Sequence, residues 1–132
     1  MAEAIVELRA IPVIYIAGKP GRPHAEEAPK AFNRLEAQLP TLKGRHFYGA
    51  VVGDEYRACV SERPGDEAIG AVHWTLPGGR YRRARIPDWE ARRYQIGPTA
   101  ADLVSRPDYD PTRPLIEYYR SQRELLMLAP VR

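Results

Sequence analysis

A carboxylate set inside an apolar, aromatic run is the feature of this chain best suited to chemistry. Arg113-Pro114-Leu115-Ile116-Glu117-Tyr118-Tyr119 reads as a β-strand. Alternation along a strand puts Leu115, Glu117 and Tyr119 on one face and Ile116 and Tyr118 on the other. A lone carboxylate buried there costs several kcal/mol unless something pairs with it. Two outcomes follow. Arg57, Arg113 or Arg120 closes a cross-strand ion pair worth ~1 kcal/mol, or Glu117 awaits a cationic or hydrogen-bonding ligand.

Aromatic residues are the natural company for such an acid. Tyr48, Tyr119, Trp74 and Trp89 are the candidates, because a cation over a ring gains roughly 0.5–2 kcal/mol, most in a dry site. Ordinary core packing competes with this for each of them. Trp89 has a helical spacing that packing alone explains, whereas Trp74, beside His73 in a short strand, is harder to explain that way.

Other residue types carry less. Arg80-Tyr81-Arg82-Arg83-Ala84-Arg85 has the composition of a nucleic-acid patch, but it equally suits a charged edge strand. A net charge of +3 is too modest to drive strong phosphate binding. His24, His46 and His73 are scattered without ligand spacing, so no metal site is expected. Cys59, the only cysteine, reads as a small packed hydrophobe and excludes an intrachain disulfide. No phosphate-cradling loop, dinucleotide fingerprint or serine elbow occurs, and no cofactor is expected. Glu26-Glu27 suits the start of a helix and needs no further role.

The elements that must position Glu117 follow from periodicity. Ile5 to Ala17 reads as a strand with a bulge or edge at Pro12. A helix is expected from Ala25 to Leu39, with Ala28, Phe32, Leu35 and Leu39 inward and Pro40 ending it. Strands His46 to Val52 and Tyr56 to Ser61 form a hairpin about Gly53-Asp54. The order then repeats. Ala71 to Leu76 and Arg80 to Ile86 are extended, broken at Pro77-Gly78-Gly79. A second helix runs from an Asp88 cap to Ser105, with Trp89, Ile96, Ala100 and Leu103 inward and a break or kink at Gly97-Pro98. Strands Pro114–Tyr119 and Glu124–Val131 close the chain. The expected fold is α+β: duplicated β-α-β-β units forming one curved antiparallel sheet, two helices on one face and a central groove. Aligning His46-Phe47-Tyr48-Gly49 with Leu115-Ile116-Glu117-Tyr118 brings Tyr48 near Glu117.

With 132 residues, 44% of them hydrophobic and 28% charged, the chain has the size and balance of one globular domain, expected to span 1–132. Met1-Ala2-Glu3-Ala4 lacks the basic start of a secretory leader, and Ile11 to Ala17 is far shorter than the ~20 residues of a membrane span. A cytoplasmic location is the expectation. Arginine greatly outnumbers lysine and there are 13 prolines, a bias that fits heat tolerance and GC-rich coding alike.

Several motifs together resemble a known family. These are Phe47-Tyr48-Gly49, Tyr56-Arg57-Ala58-Cys59-Val60, Leu76-Pro77-Gly78-Gly79-Arg80-Tyr81, Pro114-Leu115-Ile116-Glu117-Tyr118 and Leu128-Ala129-Pro130-Val131. They are similar to the GyrI-like family, also called the AraC-type effector-binding domain, over nearly the whole chain. Two departures stand out. Gly97-Pro98 falls inside the expected second helix, whereas the family often has Gly-Pro at its start. Tyr119 matches the family tyrosine while Tyr118 is extra, which leaves open which of the two lines the groove.

The resemblance implies a stand-alone protein that binds bulky, hydrophobic, cationic small molecules in an aromatic groove with Glu117 at its centre, for sequestration or sensing of xenobiotics. A small-molecule hydrolase in the same groove is the second reading, with Glu117 activating water and a tyrosine hydroxyl assisting the leaving oxygen. An inhibitor module acting on a protein partner is the third. A monomer or homodimer is expected, with no membrane or nucleic-acid partner.

Overall fold

In the computed structural model, residues 3–132 are described, so Met1 and Ala2, on which the leader reading partly rests, lie outside them. Among the described residues no helix is long and apolar enough to cross a membrane. Eight strands are β1 (Glu3–Leu8), β2 (Ile11–Ala17), β3 (Phe47–Val52), β4 (Glu55–Ser61), β5 (Val72–Leu76), β6 (Gly79–Pro87), β7 (Leu115–Ser121) and β8 (Glu124–Pro130). They join one curved, open antiparallel sheet in the order β1-β6-β8-β7-β3-β4-β2-β5. The helices are α1 (His24–Gln38) and α2 (Ile96–Val104). The architecture is α+β, as the alternating patterns predict.

The sheet is internally duplicated. Exchanging β1 with β5, β2 with β6, β3 with β7 and β4 with β8 leaves the strand order unchanged. The strand breaks fix the correspondence, Arg9-Ala10 between β1 and β2 matching Pro77-Gly78 between β5 and β6. Val13↔Ser61 matches Tyr81↔Pro130, which carries Cys59 onto Leu128 and hence Tyr48, the partner of Cys59, onto Ile116, the partner of Leu128. Gly49 therefore maps onto Glu117, the residue it directly faces. The predicted alignment of the halves is one residue out of step, and on a strand one residue exchanges the faces.

Two expected elements differ. The long first strand breaks at Arg9-Ala10, so β1 pairs with β6 while β2 pairs with β4 and β5. Each unit is therefore β-β-α-β-β. The breaks of the two halves cross: a Cβ on Gly78 would lie 2.7 Å from Ala10 N and 2.8 Å from Leu8 O, so only glycine admits this approach of backbones. The expected helix from Asp88 to Ser105 is confined to Ile96–Val104. Asp88 does not cap it but adopts φ 50°, its amide donating to Arg123 O. Gly97-Pro98 falls in the first turn, where a proline lacks no needed hydrogen bond.

Both helices lie on one face. α1 packs on β2 and β4, burying Ala31 and Leu35 against Ile14, Ala58 and Val60. α2 packs on β6 and β8, burying Leu103 near Ala84, Ile86 and Met127. A third cluster, with Val13, Cys59, Leu76, Tyr81 and Ile116, fills the opposite, inner face of the curled sheet. The helices thus flank the paired central strands β3 and β7.

Candidate functional site

Glu117 lies on the helix-side face of β7, between the two helices, and is only 7% exposed. Its Oε1 accepts a hydrogen bond from Tyr56 Oη at 2.7 Å and another from Tyr119 Oη at 2.6 Å. The two hydroxyls are 3.3 Å apart. Oε2 has no hydrogen-bond partner among the described residues. Gly49 makes the Tyr56 contact possible, because a Cβ there would come 2.0 Å from Tyr56 Oη and 2.8 Å from Glu117 Oε1.

Among the described residues no Lys, Arg or His lies within ion-pair distance of Glu117, and the three arginines considered from the sequence are engaged elsewhere. Arg57 pairs with Glu55 at 2.6 Å, Arg113 with Asp110 at 3.2 Å and Arg120 with Glu124 at 2.9 Å. Burial raises the Tyr56 and Tyr119 hydroxyls well above the usual tyrosine range, and the Glu117 charge adds to the effect. Both phenols therefore remain protonated donors at neutral pH. Charge-assisted hydrogen bonds to a carboxylate are about twice as strong as neutral ones, which offsets part of the desolvation.

Aromatic rings wall the acid on both sides. From α1, Phe32 meets Tyr119 edge-on at 5.3 Å and Tyr56 at 6.1 Å. From the turn before α2, Trp89 meets Tyr119 at 5.0 Å, and its indole Nε1 donates to Ser121 O at 2.9 Å. His24, at the start of α1, lies 6.0 Å from Tyr56. Phe32, Trp89 and Tyr119 are each partly exposed, so the walls reach the surface. The Arg93 guanidinium stands over the Trp89 ring at 5.6 Å.

Of the residues singled out from the sequence, Glu117, Tyr119 and Trp89 are brought together. Tyr48 and Trp74 are not. The expected approach of Tyr48 to Glu117 fails because Tyr48 maps onto Ile116 and shares its inner face, where its ring stacks on Tyr118 at 4.8 Å. Trp74 is also on the inner face, edge-on to Tyr15 at 5.7 Å with the Arg57 guanidinium 4.6 Å over its ring. Tyr56, Phe32 and Gly49 complete the site without having been singled out. Their signals were present: Phe32 holds the inward phase of α1, Tyr56 alternates with Ala58 and Val60, and a glycine inside a strand marks a close approach.

In the basic run, Arg82 binds Asp108 at 2.7 Å, and Arg85 is hydrogen-bonded to Glu124. Two cavities stand apart from Glu117. One of about 240 Å³ lies between Glu3, Ala84 and the first turns of α2, and one of about 100 Å³ lies on the inner face beside Tyr48.

No family model matches the sequence, and no curated protein matches it. Solved structures share the fold. An integron cassette protein from the mobile metagenome of Vibrio cholerae superposes with a TM-score of 0.80 at 12% identity, over 98% of this chain and 95% of that one. SAV2435, solved bound to tetraphenylphosphonium, gives 0.69 at 12% identity over 100% of this chain and 94% of that one. A Staphylococcus aureus protein named for transcription regulation gives 0.65 at 11% identity over 100% and 99%. At these identities the likeness is one of fold.

Proposed function

We propose that this chain binds bulky, apolar cations over Glu117, in a space that opens between Phe32 and Trp89, in the manner of a sequestering or sensing protein. One observation carries the reading: a buried carboxylate, held on a single oxygen by two tyrosine hydroxyls, has no cation within ion-pair distance among the described residues and is walled by Phe32, Trp89 and Tyr119. Burial without a counter-ion is unfavourable for the free protein, and an incoming cation relieves it. The rings add cation–π attraction and apolar contact. A shared fold with a protein bound to tetraphenylphosphonium supports the ligand class. Entry of so bulky a cation requires Phe32 and Trp89 to part, since their rings contact Tyr119 over the acid.

The test is a tryptophan-fluorescence titration with tetraphenylphosphonium, with Glu117→Gln as the comparison. Losing a contact to a charged group costs about 1.5–3 kcal/mol. That predicts roughly 10- to 150-fold weaker binding for the variant. Equal affinity in both proteins would remove Glu117 from the function. Incubation with a strained, electrophilic ring compound supplies the other arm: sustained turnover by the wild type that Glu117→Gln lacks would replace binding by hydrolysis.

A further inference from the structure

The inner face of the sheet holds a cavity that the Glu117 site does not use. It measures about 100 Å³ and lies where the two bent strand pairs cross, with Leu76, Ile116 and Leu128 among its walls. Tyr48 and Tyr118 form one side as a stacked pair, 4.8 Å between centroids and 19° between planes. Two polar groups serve it. The Tyr48 hydroxyl belongs to a side chain only 8% exposed and has no hydrogen-bond partner among the described residues. Its oxygen is not sealed from solvent, so it is free to donate or accept a hydrogen bond at the cavity. Tyr118 differs, its hydroxyl lying 3.3 Å from His46 Nδ1. Arg9 is the only charged residue lining the cavity, is exposed to solvent, and lies within ion-pair distance of no acid among the described residues.

We infer that this cavity is a second ligand site, taking a single-ring aromatic carboxylate. The ring enters the apolar space against the tyrosine pair, and the carboxylate meets Arg9 and the Tyr48 hydroxyl. The volume limits the size class to one ring: at about 100 Å³ the cavity is smaller than the ~150 Å³ apolar cavity that holds benzene, so the ring enters only in part. An open mouth lets the carboxylate project past the space the ring fills. Charge decides the rest. Arg9 selects an anion, the opposite preference to Glu117, and a guanidinium suits a carboxylate's geometry. The two sites stand back to back across β3 and β7: Ile116 and Tyr118 face this cavity, and Glu117 and Tyr119 face the other side.

A methyl-detected NMR titration with sodium benzoate tests this. Saturable shifts are expected at Leu76, Ile116 and Leu128 methyls, with benzylammonium giving none there. Arg9→Glu, a surface change that leaves the core intact, is expected to weaken benzoate about tenfold or more, the loss of one charge-assisted contact. Tyr48→Phe is expected to weaken it severalfold. Glu117→Gln should leave it unchanged, which separates this site from the one proposed above. Absence of saturation up to the solubility of benzoate, shifts centred on Trp89 instead, or equal binding by Arg9→Glu would each overturn the inference.

Discussion

Gly49→Ala is the sharpest probe of how the acid is held. The added methyl would lie 2.0 Å from Tyr56 Oη, 2.7 Å from Tyr56 Cζ and 2.8 Å from Glu117 Oε1. These distances are far inside van der Waals contact, and Tyr56 is only 2% exposed, so its ring has little space to retreat. Overpacking a filled interior costs about 1–3 kcal/mol. Displacing the Tyr56 hydroxyl from Glu117 adds the loss of a hydrogen bond to a charged group, about 1.5–3 kcal/mol. Urea unfolding of Gly49→Ala is thus expected to show ~2.5–6 kcal/mol of destabilisation. Tyr56→Phe removes the atom at 2.0 Å but keeps the ring carbon at 2.7 Å. In that background the alanine should cost less, with a coupling of about 0.5–3 kcal/mol in the double-mutant cycle. A Gly49→Ala protein within ~0.5 kcal/mol of wild type, the ordinary range of neutral surface changes, would refute the close packing of Tyr56 over this glycine. Strict additivity with Tyr56→Phe would refute the hydroxyl as the point of collision.

Stability should also depend on alkaline pH. The Tyr56 and Tyr119 hydroxyls are raised in the folded protein, so their contribution is complete below the unfolded value of about 10 and is lost as pH climbs toward the folded values. Denaturant midpoints are expected to fall steadily above about pH 10, with a shallower fall in Tyr56→Phe; a flat profile would contradict a protonated phenol pair. Burial pushes the Cys59 thiol up to about 12, so alkylation by iodoacetamide should follow global unfolding rather than proceed in native buffer. Rapid native labelling would mean that the inner face opens. Phe32→Ala, which removes one of the rings packed on Tyr119, should weaken tetraphenylphosphonium while leaving benzoate unaffected, and an equal loss of both would show a general loosening of the fold instead.

Much of this architecture was legible because its determinants are local. Alternation placed Glu117 and Tyr119 together on β7, helical period placed Phe32 on the inner side of α1, and Gly53-Asp54 marked the β3–β4 hairpin. What was not legible depends on contacts remote in the chain. Tyr48 went to the wrong face because the relation between the halves is set by where the strands break, Arg9-Ala10 against Pro77-Gly78, and a one-residue error exchanges the faces. Trp89 matched a helical stripe with Ile96, Ala100 and Leu103, yet its segment is tied to the β7–β8 turn by Asp88 N to Arg123 O and Trp89 Nε1 to Ser121 O. Those bonds outweigh local propensity over 88–95. Tyr56 escaped notice because its role depends on Gly49 and Glu117, residues from two other strands.

The pairing of Gly49 with Glu117 bears on how such a scaffold arises. This pair lies on the pseudo-two-fold axis, where each residue is the image of the one it faces. An assembly of two identical half-length chains would put the same amino acid on both sides of that axis: glycine opposite glycine, leaving no acid, or glutamate opposite glutamate, two like charges facing each other at close range. A lone charge at the centre requires the two positions to be encoded separately, so this arrangement is open only to halves of different sequence.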